Sequence, residues 1–343
     1  MERILYLTHT EADGGLSKVA LETLTSAVEL SRQLSGSTLR LALWGGAIQT
    51  AADAVAGCGA EETLGVTGEE FADSRYASDA AAAEALVRAA DATFVIAPAS
   101  ARLARTLPGV ALRVGGRIDS HVVGMGAAGE GVQIQRWYYR QRMLATMTRS
   151  QRPWFVLVDP GLFETWNGEA GSATPRLVEV DLPTPYDRTR VVGIEAAKSQ
   201  AQTIRPDADL LFVAGAGWTK KQADGQTHVK DAEELILGFL DSAQASLGGS
   251  KSMVEQSAEG EDVLSFMSHL NQVGQTGSTP RHAKGLATCC HGEEPHVVGW
   301  RFIHERRAIN TDPNCGWAQS KADVLYVADA FALTAKVNEL LRG

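Results

Sequence analysis

The segment Gln272-Val273-Gly274-Gln275-Thr276-Gly277 carries the most specific chemistry in the 343-residue chain. Its two glycines let a backbone come close to a ligand. Between them, the amide of Gln275 and the hydroxyl of Thr276 each donate and accept hydrogen bonds. Such a loop suits the polar edge of a flavin, where N5 and the carbonyl oxygens need partners; the competing reading is an ordinary glycine-rich turn. Two further constellations follow. Ile309-Asn310-Thr311-Asp312-Pro313 leaves a β-like stretch and ends at a proline turn, and Val327-Ala328-Asp329-Ala330-Phe331 ends a strand and opens the last helix. In α/β sheets, side chains at the carboxyl ends of parallel strands, where helix N-termini also point, meet nucleotides. There Asn310 and Asp329 can hold an adenosine and its ribose, or serve only as a turn former and a helix cap.

Elements able to position these residues are legible along the chain. Ile4 to Thr8 reads as a strand, Gly14-Gly15 as a turn, and the pattern from Leu16 as a helix whose Leu21, Leu24 and Val28 share one buried face. Leu39 to Trp44 is the next strand. Ala80 to Ala90 reads as a helix with Asp79 as N-cap, and Ala92 to Ala97 is an apolar run suited to a parallel sheet covered on both faces. A strand-rich stretch follows, with Trp154 to Asp159 and Arg176 to Asp181. The alternation implies an N-terminal doubly wound α/β domain over residues 1–185, with Leu182 to Arg190 as a linker. A second parallel-sheet α/β domain occupies 190–343: Leu210 to Ala214, a turn at Gly215-Ala216-Gly217, a helix over Asp231 to Leu247, and a last strand at Val324 to Ala328. In the terminal helix, Leu333, Val337, Leu340 and Leu341 fall on one face.

Other clusters read more plainly. Cys289, Cys290 and His291, with His282 and His296 nearby, fit no usual zinc spacing, because adjacent cysteines rarely ligate one tetrahedral ion. No C-x₂-C-x₂-C run for an iron–sulfur cluster is present. Trp137, Tyr138 and Tyr139 suit strand packing. Arg136, Arg140 and Arg142 fall on one face at strand alternation, read as solvated.

Composition narrows the classes. The length exceeds what one core usually organises, and 44% hydrophobic with 21% charged residues is ordinary for a globular protein. A net charge of −9 with no basic stripe sets nucleic-acid binding aside. Four irregularly spaced cysteines suggest a reducing compartment. The N-terminus has no signal-peptide layout, and no apolar run approaches the roughly 18 residues of a membrane span. A cytoplasmic protein without stable membrane insertion is therefore expected.

Taken in order, the motifs resemble the α (large) subunit of electron-transferring flavoproteins. That family's VGQTGK-like loop, SGAIQH-like turn, INKDP-like turn and VADLF-like strand end are matched by VGQTG at Val273 to Gly277, HGEEPH at His291 to His296, INTDP at Ile309 to Pro313 and VADAF at Val327 to Phe331. ILYLTHTEADGGLSKVALETL is similar to its opening strand, loop and helix, and WYYRQRMLATM to its mid-domain strand.

The resemblance implies an FAD-binding second domain and a first domain in subunit contact. Gln275 and Thr276 would face the flavin ring, within a loop running from Gln272 and Gly274 to Gly277. His296 would lie near the C2 carbonyl, and Asn310 with Asp329 and Ala330 would hold the adenosine side. His291 and Gly292 would fall on the phosphate side. Ser250-Lys251 falls where the family has Ser-Arg. Lysine for that arginine, His291 for a serine, Thr311 for a lysine, and Gly215-Ala216-Gly217-Trp218 for a GGRG turn are departures that remove or reshape positive charge.

The implied function is a heterodimer with a β subunit that usually buries an AMP. It would take electrons from a dehydrogenase, by analogy an amine or methylated-amine dehydrogenase, and pass them to a redox acceptor. No paired acid–base constellation aimed at a substrate is present, so a carrier rather than an enzyme is expected. The alternatives are a flavoenzyme acting directly on a small substrate, and a structural subunit with a degenerate nucleotide site.

Overall fold

The computed structural model describes residues 1–129, 131–139, 143–193, 204–205, 208–255, 263–274, 280, 282–288, 300 and 303–343. They fall into two units, Met1–Ile194 and Glu195–Gly343.

The first unit is built on β1 (Arg3–His9), β2 (Thr38–Gly45), β3 (Glu62–Thr67), β4 (Phe94–Pro98), β5 (Arg117–Ala128), β6 (Gly131–Tyr138), β7 (Met143–Met147), β8 (Trp154–Val158) and β9 (Arg176–Leu177). They form one sheet in the order β7-β6-β5-β8-β4-β1-β2-β3-β9, parallel except for the antiparallel β5–β6 and β6–β7 pairs. Helices α1 (Lys18–Gln33), α2 (Gln49–Ala54), α3 (Glu69–Ala72), α4 (Tyr76–Ala89) and α5 (Ala101–Arg113) accompany it. Because side chains alternate across a sheet, Ile4, Tyr6 and Leu41 enter one core with Leu24 and Val28 of α1. Leu5, Leu7 and Ala42 enter another with Leu86 of α4 and Leu107 of α5. Burial on both faces explains why β4 and β8 are unbroken apolar runs.

Three details differ from the sequence reading. Helix α4 begins at Tyr76, so Asp79 lies inside it. The Asp79 carboxylate reaches back to accept from the N–H of the N-cap residue Arg75 (3.2 Å), which gives a residue of the first turn the appearance of a cap. The strand expected over Arg176 to Asp181 shortens to Arg176–Leu177, at the edge of the sheet. Arg136 is not a solvated residue: its Nη1 donates to the buried Asp119 (2.6 Å), and its guanidinium stacks over Tyr138. Arg140 and Arg142 lie outside the described residues.

The second unit is an all-parallel sheet of β10 (Leu210–Ala214), β11 (Ser246–Gly249), β12 (Lys284–Thr288), β13 (Glu305–Asn310) and β14 (Val324–Val327), in the order β11-β10-β12-β13-β14. Counted along the unit this is 2-1-3-4-5, a doubly wound order whose direction reverses between β10 and β12. Helices α6 (Val229–Ala243), α7 (Lys251–Glu255), α8 (Gly316–Lys321) and α9 (Ala330–Leu341) accompany it. One core joins Phe212 to Ile236 and Phe239 of α6, and another joins Leu211 and Val213 to Trp300 and Trp317.

Helix α6 stops short of the expected Leu247. Gln244 takes a left-handed conformation (φ 49°) that ends the helix, and Leu247 is a buried strand residue of β11. An apolar run continuing from helix into strand hides that break from periodicity alone. In α9, Leu333 and Val337 pack on the core while Leu340 and Leu341 are exposed. Among the described residues no helix is long and apolar enough to cross a membrane.

Candidate functional site

The register of the second sheet lines up the strand ends. Ala214 pairs with Gly249 on one side and Thr288 on the other, Thr288 with Ile309, and Ile309 with Tyr326. One residue further along the same direction come Gly215, Ser250, Asn310 and Val327. The segment leading to the glycine loop joins this row: Gln272 forms a parallel bridge to Gly249, and the Val273 N–H donates to the Gly249 carbonyl (3.0 Å). Gly274 then leaves the sheet at φ 133°, a conformation that favours glycine. Five segments, at Gly215, Ser250, Gln272 to Gly274, Asn310 and Val327, thus meet on one carboxyl edge, the side of a parallel sheet on which nucleotides bind.

Each described residue has a local reason for its place. Ser250 is buried, its N–H donates to the Ala214 carbonyl (3.0 Å), and its hydroxyl accepts from the Met253 N–H (3.2 Å) as the cap of α7. Lys251, the next residue, is exposed. Gln272 is buried at the bridge, with its N–H donating to His269 (3.2 Å). The Asn310 side chain accepts from the Asp312 N–H (2.8 Å), closing the turn that Pro313 follows, while its carbonyl accepts from Ala328 (3.1 Å). Asp329 caps α9 through the Ala332 N–H (2.8 Å), and Ala330 is buried beside it. Asn310 and Asp329 therefore do serve as turn former and cap, and those tasks bring them to the same edge. Gln275, Thr276, Gly277, His291, Gly292 and His296 lie outside the described residues.

His282, grouped by sequence with the cysteine pair, is buried before β12, with Nε2 at 2.8 Å from the Arg205 carbonyl. Cys289 and Cys290 directly follow the other end of that strand and lie outside the described residues. No group of residues able to hold a metal ion occurs among those described.

Sequence reasoning noticed Trp218 only as a departure from a family motif and passed over Thr288. The structure joins them: the fully buried Trp218 indole N–H donates to Thr288 Oγ1 (2.8 Å), and that hydroxyl donates to the Val213 carbonyl (3.1 Å). A tryptophan directly after a strand-ending Gly-Ala-Gly turn was the available signal.

The donor set at the edge is compatible in kind with a nucleotide cofactor. It offers a hydroxyl, an amide, a carboxylate and the N-terminus of the 12-residue α9, with glycine backbone at Gly215 and Gly274. The first unit contributes a different electrostatic centre. Asp119 accepts from Arg136, Arg149 (2.5 and 2.9 Å) and Trp154 (2.9 Å). Burial works against its ionisation, but the bonds from Arg149 and Trp154 and the Arg149 charge outweigh burial and hold the carboxyl below the usual range.

Residues 4–185 match the family model described as electron transfer flavoprotein domain, so the match lies in the first unit. The chain is 26% identical over 190 residues to Protein FixB of Clostridium saccharobutylicum, a match that covers 55% of this chain and 49% of that protein. The matched region thus spans about half the length of that curated relative.

Proposed function

Because the chain belongs to the electron transfer flavoprotein family, we propose that it is an alpha-type subunit and holds FAD at the carboxyl edge of its second sheet. There it accepts electrons from a dehydrogenase and passes them to a downstream acceptor. The observation that carries this reading is the convergence of Ser250, Gly274, Asn310 and Asp329 on that one edge. A second, β-type subunit completes the functional unit, and an AMP would belong to that partner. Four cysteines, too few and too irregularly spaced for a disulfide framework, support a cytoplasmic placement.

FAD supplies reversible uptake and release of electrons. The chain's own residues bind and orient it. Asn310 and Asp329 hold the adenosine side while fixing their own backbone turns. The α9 N-terminus aims N–H groups toward negative charge. Gly274 would let the loop backbone approach, and by the resemblance Gln275 and Thr276 would present hydrogen bonds to the ring. By the family resemblance His296 would lie near the C2 carbonyl, where an imidazole could donate a hydrogen bond and, when protonated, supply positive charge. A carrier of this kind needs no general acid or base aimed at an organic substrate.

The test is an absorption spectrum of the chain co-purified with its partner subunit, before and after addition of candidate dehydrogenase and substrate. A yellow complex that bleaches only with both present is expected; bleaching with substrate alone would favour a flavoenzyme. A colourless complex that cannot be reconstituted with FAD would favour a degenerate site. At residue level, Thr276→Ala should shift the flavin reduction potential, since a hydrogen bond of this kind contributes about 1–3 kcal/mol. An unchanged potential and spectrum would remove Thr276 from the ring.

A further inference from the structure

The doubly wound order of the second unit reverses between β10 and β12, and the carboxyl ends of those two strands border the crevice that such a reversal opens. One side chain crosses it. Trp218 sits in the short 3₁₀ turn Ala216–Thr219 that follows β10, and its indole N–H donates to Thr288 Oγ1 at the last position of β12 (2.8 Å). Both side chains are fully buried. The link is doubled by the backbone, where the Gly215 N–H donates to the Thr288 carbonyl (2.9 Å). Thr288 Oγ1 in turn donates to Val213 on β10 (3.1 Å). The indole also packs on Phe331, with ring centroids 4.6 Å apart, two residues after the Asp329 cap of α9. Phe212 flanks it at 6.5 Å.

Trp218 therefore ties together three things that border the candidate site: the glycine turn after β10, the carboxyl end of β12, and the start of α9. We propose that Trp218, acting through Thr288, is a positioning residue for the cofactor, fixing the separation of the β10 and β12 ends against which the cofactor binds. This rests on the FAD reading above. The physical argument is the cost of a buried donor. With Phe331 and Phe212 against it, the buried indole loses the acceptor it uses when the Thr288 hydroxyl is removed. The strand ends then shift, or the N–H stays unpaired.

The experiment uses the full chain in the complex in which it is isolated, loaded with FAD, and measures FAD release by recovery of flavin fluorescence alongside thermal unfolding. Thr288→Val and Trp218→Phe should each speed FAD release about tenfold, in line with loss of one buried hydrogen bond. Their combination should be no worse than the worse single variant, because donor and acceptor leave together. Thr288→Ser, which keeps the hydroxyl, should release FAD at the wild-type rate. If the single variants unfold at lower temperature but release FAD within about twofold of wild type, the bond is merely structural and the proposal fails. It fails equally if the two effects multiply. Should Trp218→Phe not fold, the contrast between Thr288→Val and Thr288→Ser decides alone. A wild-type complex that takes up no FAD overturns the flavin reading and this proposal with it; a loaded wild type with unmoved variants overturns the proposal only.

Discussion

At the carboxyl edge of the first sheet, Asp79 is enclosed by the Trp44 indole (3.2 Å) and the Arg102 guanidinium (2.6 Å), and Arg102 also donates to the carbonyl of Phe71 (2.7 Å). The loop after β1 carries Glu11 and Asp13, whose side chain accepts from Gly15 (2.9 Å). At the corresponding edge of the second sheet, Ser250, Asn310 and Asp329 each use a side-chain oxygen on a nearby backbone N–H. Among the described residues of the first edge, the guanidinium groups of Arg75, Arg102 and Arg105 are engaged by protein carbonyls, by Ser74 and by the Asp79 carboxylate, which leaves less of their charge for a phosphate. The second offers short neutral groups, one capping carboxylate and a helix N-terminus. The two sheets, one mixed and one all-parallel, thus differ in what their described edge residues carry: guanidinium–carboxylate pairing at the first, short capping groups at the second. The family match falls on the first, the candidate cofactor site on the second.

The largest effect separating the two is expected at Asp119, the structural charge centre of the first unit. Asp119→Ala leaves Arg136, Arg149 and the Trp154 indole without their shared acceptor. Removing one partner of a buried ion pair costs about 3–5 kcal/mol, so thermal unfolding should fall sharply. The sign of the pH dependence follows from the lowered pKa. The stabilisation is present above the ordinary carboxylate value of 3.8 and is lost as pH falls through the folded-state value below it. Wild type should therefore lose stability in acid faster than Asp119→Ala. Equal acid sensitivity of the two would remove Asp119 as the anchor of this comparison.

A smaller and more local effect is expected at Gly274. At φ 133° a side chain is strained, and forcing an unfavourable backbone region costs about 1–3 kcal/mol. Gly274→Ala should weaken FAD retention more than it lowers the unfolding temperature, measured as flavin left after gel filtration. The opposite ranking would place the glycine in folding rather than in binding, and the second edge would then resemble the first.

Much of this contrast is legible in residue types. The apolar runs at β4 and β8 announce a sheet buried on both faces, and Asn310 and Asp329 are recognisable as turn and cap. What the residues do not reveal is register. Ser250 and Gly274 are neighbours only because a short segment, Gln272 to Val273, runs alongside β11, an irregular pairing with no periodic signal. Asp79 misleads because a carboxylate in the first turn that reaches back to Arg75 has the sequence appearance of a cap. Arg136 misleads because alternation assigns it to a face but cannot reveal the buried carboxylate waiting there. Long-range pairs of this kind leave no trace within a window of neighbours.

The smallest effect expected comes from a charge cluster of the second unit that lies in solvent. His228, just before α6, is held between Asp224 (2.7 Å) and Asp231 (3.1 Å). The hydrogen bond to Asp224, then that residue's charge and the bond to Asp231, raise the imidazole above its ordinary value of 6.5. The sign is opposite to that of Asp119. The stabilisation is complete below 6.5, where the imidazolium would form even in the unfolded chain, and disappears as pH rises through the folded-state value. His228→Gln should therefore unfold at a lower temperature than wild type near about pH 5.5 and match it near about pH 9. Salt should shrink the difference, because exposed pairs are screened. A pH-independent difference would mean that His228 acts through its edge-on packing against Phe331, with ring centroids 6.4 Å apart, rather than through charge. That outcome would connect the cluster to the aromatic contact with Trp218 and make it part of the machinery of the candidate edge.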